Sequence, residues 1–243
     1  MPTEHLFKTP PPSARLWRFM DLGKLIALLE TQHLFLAPIT SFEDPFEGHP
    51  PKLTVLLHRT MPFGLSEQEY ERLSLDIDHT LTSFRELRES IAASCWHMNN
   101  VESAAMWGLY LRSGEGIALH TSFSRLLASI GEASTAIRAA VVQYVDFDSF
   151  HPGNVPMMAW GTFKRSSFAH ERELRLLAEI PRGSPGLAVP VELSKLIESI
   201  HLAPTTPDWL ARSITKLVDR YGLRVPVQRS RLLDPPAYYE SDG

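Results

Sequence analysis

Short stretches with the two-residue period of a strand recur along this chain, and helical stripes separate some of them but not others. RLWRFM (15–20), HLFLAP (33–38), IAASCWHM (91–98), GIALHTS (116–122) and VVQYVDF (141–147) read as strands. GLAVPVEL, LIESIHLAP and RVPVQRSRL add further strand material. Between them, LGKLIALLETQ carries a helical stripe at Leu22, Leu25, Ile26 and Leu29 behind Asp21 as N-cap. Residues 65–91 hold the longest stripe, from Tyr70, Leu73 and Ile77 to Phe84, Leu87 and Ile91. SAAMWGLYL (103–111) reads as a short helix, and the SGEG turn (113–116) comes after it. FSRLLASIGEASTAIRAA reads as a helix weakened by Gly131, and DWLARSITKLVDRY as one opened by Thr206 and Pro207 and ended by Gly222. PMMAWGTFKRSSF reads as a helix or an irregular approach to the next strand. Strands and helices mixed without strict alternation favour an α+β fold, with a mixed, largely antiparallel sheet and several packed helices, over a doubly wound sheet.

The expected organisation is a loose, proline-rich N-terminal tail over 1–14, one domain over 15–233, and a polar tail from Asp234. At 243 residues, 44% apolar and 21% charged, the composition is globular rather than disordered. A net charge of −4 gives no general attraction to nucleic acid or anionic membranes. The single cysteine, Cys95, rules out an intramolecular disulfide and a cysteine-built zinc site, and its small neighbours suggest a packed residue rather than a nucleophile. Ten histidines stand with no pair at i, i+4, so no metal is expected. MPTEHLFKTPPPS lacks the basic-then-apolar pattern of a secretory signal, and no run of about 18 apolar residues occurs. The expectation is a cytoplasmic protein with no membrane partner. No glycine-rich nucleotide loop, P-loop, G-x-S-x-G or H-E-x-x-H is present.

The most pointed stretch is FKRSSFAHERELRLLAEIP, 163–181. Read as a strand, it puts Leu174, Leu176, Ala178 and Ile180 on one face and Glu171, Glu173, Arg175 and Leu177 on the other. The charged face is either solvated, with a weak cross-strand ion pair, or it is a polar site. In a site, two carboxylates at i, i+2 repel and raise one pKa, and Arg175 grips a carboxylate or a phosphate. Lys164 and Arg165 either contact phosphate or keep the strand soluble. In SFEDPFEGHP, Asp44 and Glu47 either shape a turn, with Gly48 at positive φ and Phe42 and Phe46 pinning it, or rim the site. Trp107 and Tyr110 are core residues or a stacking platform for a base. Arg18, flanked by Trp17 and Phe19, is a phosphate ligand or an exposed edge residue.

Four ordered segments carry a resemblance: LWRF…LLETQHLFLAPITSFEDPFEG, SCWHMNNVESAAMWGLYLRSGEGIALHTS, VVQYVDF and FKRSSFAHERELRLL. Together they resemble the bacterial family named domain of unknown function 2971, in order and spacing over most of 15–233. Departures are Glu43 for the family's usual Asn, Trp96 for Phe and His97 for Ser. The opening is also similar to the start of ADP-ribosyltransferases, which begin strand–helix–strand and place a Glu on a late strand. That resemblance implies an ADP-ribosyltransferase-like fold and NAD as cofactor, with a protein or nucleic-acid target in a toxin or phage-defence setting. It implies Glu173, or Glu171, as the catalytic carboxylate. Arg18 and Ser94 then position the cofactor, with Arg175, Tyr110 and Asp44 as further contacts. Two other classes stand beside this one: a non-catalytic module binding a ligand or protein, and a nucleic-acid processing protein. The latter lacks a basic run or a carboxylate–metal cluster.

Overall fold

The computed structural model describes residues 6–60, 64–110, 116–131, 136–153 and 155–236. In chain order the elements are β1 (Arg15–Met20), α1 (Leu22–Thr31), β2 (His33–Pro38), α2 (Lys52–Arg59), α3 (Glu67–Arg88), β3 (Ile91–Met98), α4 (Ala104–Tyr110), β4 (Ile117–Ser122) and α5 (Phe123–Ile130). Next come β5 (Ile137–Val141), β6 (Gln143–Val145), β7 (Phe163–Arg165), β8 (Glu173–Glu179), β9 (Leu187–Pro190), α6 (Leu193–Leu196), β10 (Ser199–Leu202), α7 (Asp208–Arg220) and β11 (Val227–Arg229). Strands and helices mix without alternating, and most strand pairs are antiparallel, so the class is α+β as the pattern predicts. Among the described residues no helix is long and apolar enough to cross a membrane.

Contacts divide the chain into two compact units. The first comprises Met1–Thr9, Phe35–Cys95 and Ala133–Val189. Here β8 lies between β3 and β5. β5 runs antiparallel to β8 with Ile137 opposite Ala178 and Val141 opposite Leu174. β2 pairs β3 through Ala37 and Ala93, and short β6 and β7 run parallel. Ile39, Ile91, Trp160, Phe163 and Leu177 form its core, and Leu6 is buried with them. Ser66 and Glu69 cap α3 reciprocally, and Phe84 on its half-buried stripe packs edge-on to Trp160.

The second unit comprises Pro10–Leu34, Trp96–Glu132 and Pro190–Gly243. β1 pairs antiparallel with β4 along its length, and β4 with β10; β11 adds in parallel. Trp17, Phe19, Met106, Trp107 and Ala118 form a core, so Trp107 takes the packing role rather than the stacking one. Asp21 caps α1 as its position predicts, its Oδ1 accepting the Lys24 N–H at 2.8 Å.

Three local expectations change. The helix expected over 123–140 stops at Ile130, where Gly131 turns the chain at φ +58°, and Ile137–Val141 is a strand. Pairing with buried β8 overrides the helical propensity of that alanine-rich segment. VVQYVDF is split accordingly between β5 and β6. The stretch 163–181 is not one strand: β7 gives way to a 3-10 turn, Ser166–Glu171, and Arg172 at φ +44° precedes β8. α7 begins at Asp208 with Pro207 as its cap residue, one position later than expected. The SGEG turn lies outside the described residues except for Gly116.

Candidate active site

The site is built in the first unit from a turn and a strand. The turn comes after the 3-10 segment Ile39–Ser41. Asp44 Oδ1 accepts the Phe46 N–H at 3.0 Å, which tightens the turn as an Asx residue does. Gly48 leaves it at φ +69°, where an added Cβ would lie 2.2 Å from Ile39 Cδ1. Arg88 of α3 ties the turn down, its Nε donating to the Glu47 carbonyl at 2.6 Å. The result aims the Glu47 side chain inward, where it is buried.

β8 meets it there. Leu174 and Leu176 take one face; Glu173, Arg175 and Leu177 take the other, and both faces are buried. The charged face is therefore not a solvated one. Arg175, 0% exposed, donates from Nη1 and Nη2 to the two Glu47 oxygens at 2.8 and 2.9 Å. Its Nε donates to Glu173 Oε2 at 2.7 Å, and Nη1 also to the Gly161 carbonyl at 3.0 Å. Lys164 of β7 donates to Glu173 Oε1 at 2.7 Å and to Glu171, and lies 3.2 Å from Glu47. The Glu173 backbone N–H donates to Tyr144 Oη at 2.8 Å. The forked guanidinium suits this double task in a way a lysine does not.

The fields arise from that geometry. Burial pushes the Glu171 carboxyl up, the neighbouring Glu173 adds to it, and the pKa reaches about 8 despite Lys164. Burial also opposes the Glu173 carboxylate, but Arg175, its hydrogen-bonding partners and Lys164 outweigh it and hold the group well below its ordinary value. Burial works against the Lys164 ammonium, while Glu173 and Glu47 raise it above its ordinary value. Tyr144 and Cys95 are both raised by burial and by Glu173, so they stay a phenol and a thiol.

Of the residues singled out from the sequence, Glu173, Glu171 and Arg175 come together. Glu173 is 4% exposed and saturated with cationic donors, so solvent reaches Glu171 more readily, at 16% of its side chain. Ser94 is buried on β3 in the same unit. Asp44 pairs with Arg165 at 2.7 Å, and that guanidinium lies 4.3 Å from the Phe46 ring centroid. Arg18 belongs to the second unit, with its guanidinium 5.6 Å from the Trp96 ring centroid. Tyr110 ends α4 in that unit, and its side chain lies outside the described residues. Glu47 and Lys164 are the residues whose weight the sequence understates. Glu47 reads there as a rim residue, and Lys164 as a phosphate contact or a solubilising charge. Lys164 and the carboxylates at 171 and 173 share one stretch, but nothing local shows that Glu47 joins them. Among the described residues no group of three or more His, Cys, Asp or Glu is placed to hold a metal ion.

Fold and site together define an α+β protein with a buried cluster of three carboxylates and two cations. No family model matches the chain, so the resemblance to domain of unknown function 2971 gains no support there, and no curated protein matches either. Among solved structures the chain is similar to DarT of Thermus sp. 2.9 in complex with NAD+. That match has 12% identity over 92% of this chain and 98% of the other, with a TM-score of 0.42. The same protein in complex with ADP-ribosylated ssDNA matches at 11% identity over 92% and 96%, with a TM-score of 0.42. Its complex with carba-NAD+ gives 12%, 92% and 97%, with a TM-score of 0.41.

Proposed function

We propose that the first unit carries an NAD-using ADP-ribosyl transfer site in which Glu171 is the carboxylate that contacts the ribose. The observation behind this reading is the pairing of Glu171 and Glu173 ahead of and at the start of β8, braced by Lys164 and Arg175. Breaking the bond between nicotinamide and ribose develops positive charge on the sugar. A fixed carboxylate in a poorly hydrated setting stabilises such charge strongly. Glu173 and Arg175 are positioning residues here: their hydrogen-bonding groups are engaged within the cluster and hold it rigid. Ionised Glu171 accepts a ribose hydroxyl, and as a base it takes the proton of an attacking acceptor group.

The DarT structures, one with NAD+ and one with ADP-ribosylated ssDNA, name the first cofactor and the first acceptor to try. The ground of the proposal is the carboxylate cluster rather than the likeness. The test is calorimetric titration with NAD, with nicotinamide release followed in the same samples, with and without single-stranded DNA. Wild type binds NAD and releases nicotinamide. Glu171→Gln keeps the binding and loses release by about 100-fold or more. Ser94→Ala, in the same unit, is read for NAD affinity alone. Folded wild-type protein that neither binds NAD nor releases nicotinamide overturns the proposal, and leaves the cluster as a brace in a binding module.

A further inference from the structure

The second unit holds a different set of chemistry-bearing residues, sharing none with the cluster above. Ser199 and His201 stand at i and i+2 on β10 and so share a face. His120 of β4 sits directly opposite Ser199 across the antiparallel pair. Ser199 Oγ lies 3.1 Å from His201 Nε2, and His201 Nδ1 lies 3.3 Å from Glu102 Oε1. Trp17 packs against both imidazoles, with ring centroids 4.4 Å from His120 and 4.8 Å from His201, and so fixes their orientation. An open pocket of about 350 Å³ reaches these groups, lined among others by Arg15, Trp17, Asn100, His120, Ser199 and Gln228.

We propose that Ser199, His201 and Glu102 form a nucleophile–base–orienter set that cleaves small acyl esters. The roles rest on the contacts. A hydroxyl beside an imidazole nitrogen whose other nitrogen faces a carboxylate is the arrangement that activates serine on unrelated folds. Burial lowers the His201 pKa more than Glu102 raises it, so the ring is neutral at pH 7 and free to take a proton. Burial and Arg15 push His120 down to about 4, so it too is neutral, with Nδ1 3.3 Å from Ser199 Oγ. The Glu102 carboxylate also accepts the Trp107 indole N–H at 3.0 Å, which anchors it. At 3.3 Å Glu102 Oε1 is near His201 Nδ1 but makes no hydrogen bond to it, so Nδ1 is buried without a partner here and the orienting bond forms only if the carboxylate closes on the ring when substrate binds.

In the reaction Ser199 Oγ bonds to the ester carbonyl carbon as its proton passes to His201 Nε2. The carbon–oxygen bond to the leaving alcohol then breaks, and the alcohol departs with that proton. Water next attacks the acyl-serine and gives its proton to His201; the acid leaves, and the proton returns to Ser199. Gln228 Nε2 lies 3.1 Å from His201 Nε2 and so competes with Ser199 for that nitrogen; its amide is released toward a developing oxyanion only as Nε2 takes the proton, and Asn100 also lines the pocket.

The test is active-site labelling of the full wild-type chain with a fluorophosphonate probe, with the adduct located by peptide mass spectrometry. p-Nitrophenyl acetate hydrolysis is followed in parallel. The expected result is one adduct, on Ser199. Labelling disappears in Ser199→Ala and slows by about 100-fold in His201→Gln. Glu102 is a positioning residue: Glu102→Gln slows labelling and shifts its pH profile, and Glu102→Asp restores part of the rate. Because the adduct is mapped on the wild-type chain, a variant that fails to fold does not blur the answer. A folded wild-type chain with no adduct, or with adducts elsewhere than Ser199, overturns the proposal.

Discussion

Arg175 grips Glu47 through two hydrogen bonds, 2.8 and 2.9 Å long, from 128 residues away in sequence, and both side chains are buried. Removing one partner of such a pair leaves the other as an uncompensated charge in the interior. Glu47→Gln and Arg175→Met are each expected to lower stability by about 3–5 kcal/mol. Arg175→Lys is expected to cost nearly as much, because an ammonium cannot reproduce the fork. Urea unfolding midpoints at neutral pH check all three.

Glu171 makes stability depend on pH with a definite sign. Its folded pKa of about 8 exceeds the ordinary 4.5, so between those values the folded chain holds a proton that the unfolded chain has released. The stabilisation this gives is complete below the unfolded value and disappears as pH rises through about 8. The stability of wild type relative to Glu171→Gln should therefore fall between about pH 5 and pH 9. Denaturation of both proteins across that range is the measurement. Nicotinamide release, if Glu171 acts as proposed, should rise over the same interval as the carboxylate forms.

Gly48 occupies a backbone conformation that L side chains rarely adopt, and a Cβ there would overlap Ile39 at 2.2 Å. Gly48→Ala is expected to cost about 1–3 kcal/mol and to loosen the turn that presents Glu47. Gly131, also at positive φ but with no atom of the described residues within 4 Å of an added Cβ, should tolerate alanine at the lower end of that cost. Thermal melts of the two variants side by side separate the steric part from the backbone part.

At the start of α1, Asp21→Ala removes the acceptor for the Lys24 N–H. The expected loss is about 1 kcal/mol, and Asp21→Ser should recover most of it. Urea titration of the three proteins reads this directly.

Much of the scaffold was legible because its signals are local. Asp21 precedes an apolar stripe, Ile91–Met98 is rich in apolar and small residues, and each gave the element expected. The segment after Gly131 was not legible, since Ile137–Val141 owes its strand form to β8, far along the chain. The candidate site divides the same way. Glu171, Glu173 and Arg175 announce themselves by spacing, whereas Glu47 joins them only through the fold. Arg172 at φ +44° takes Glu171 out of the strand that alternation had assigned it, which no residue pattern signals for an arginine. In the second unit Ser199 and His201 share a face by their spacing, but Glu102 and His120 reach them only through tertiary packing.

The cluster around β8 holds an odd number of charges: Glu47, Glu171 and Glu173 against Lys164 and Arg175. Parity is restored by the proton that Glu171 retains at neutral pH. A cationic ligand arriving at Glu171 takes that proton's place, so its binding is a cation-for-proton exchange. The heat of binding will then depend on which buffer receives the proton, and the slope against buffer ionisation enthalpy counts the protons released.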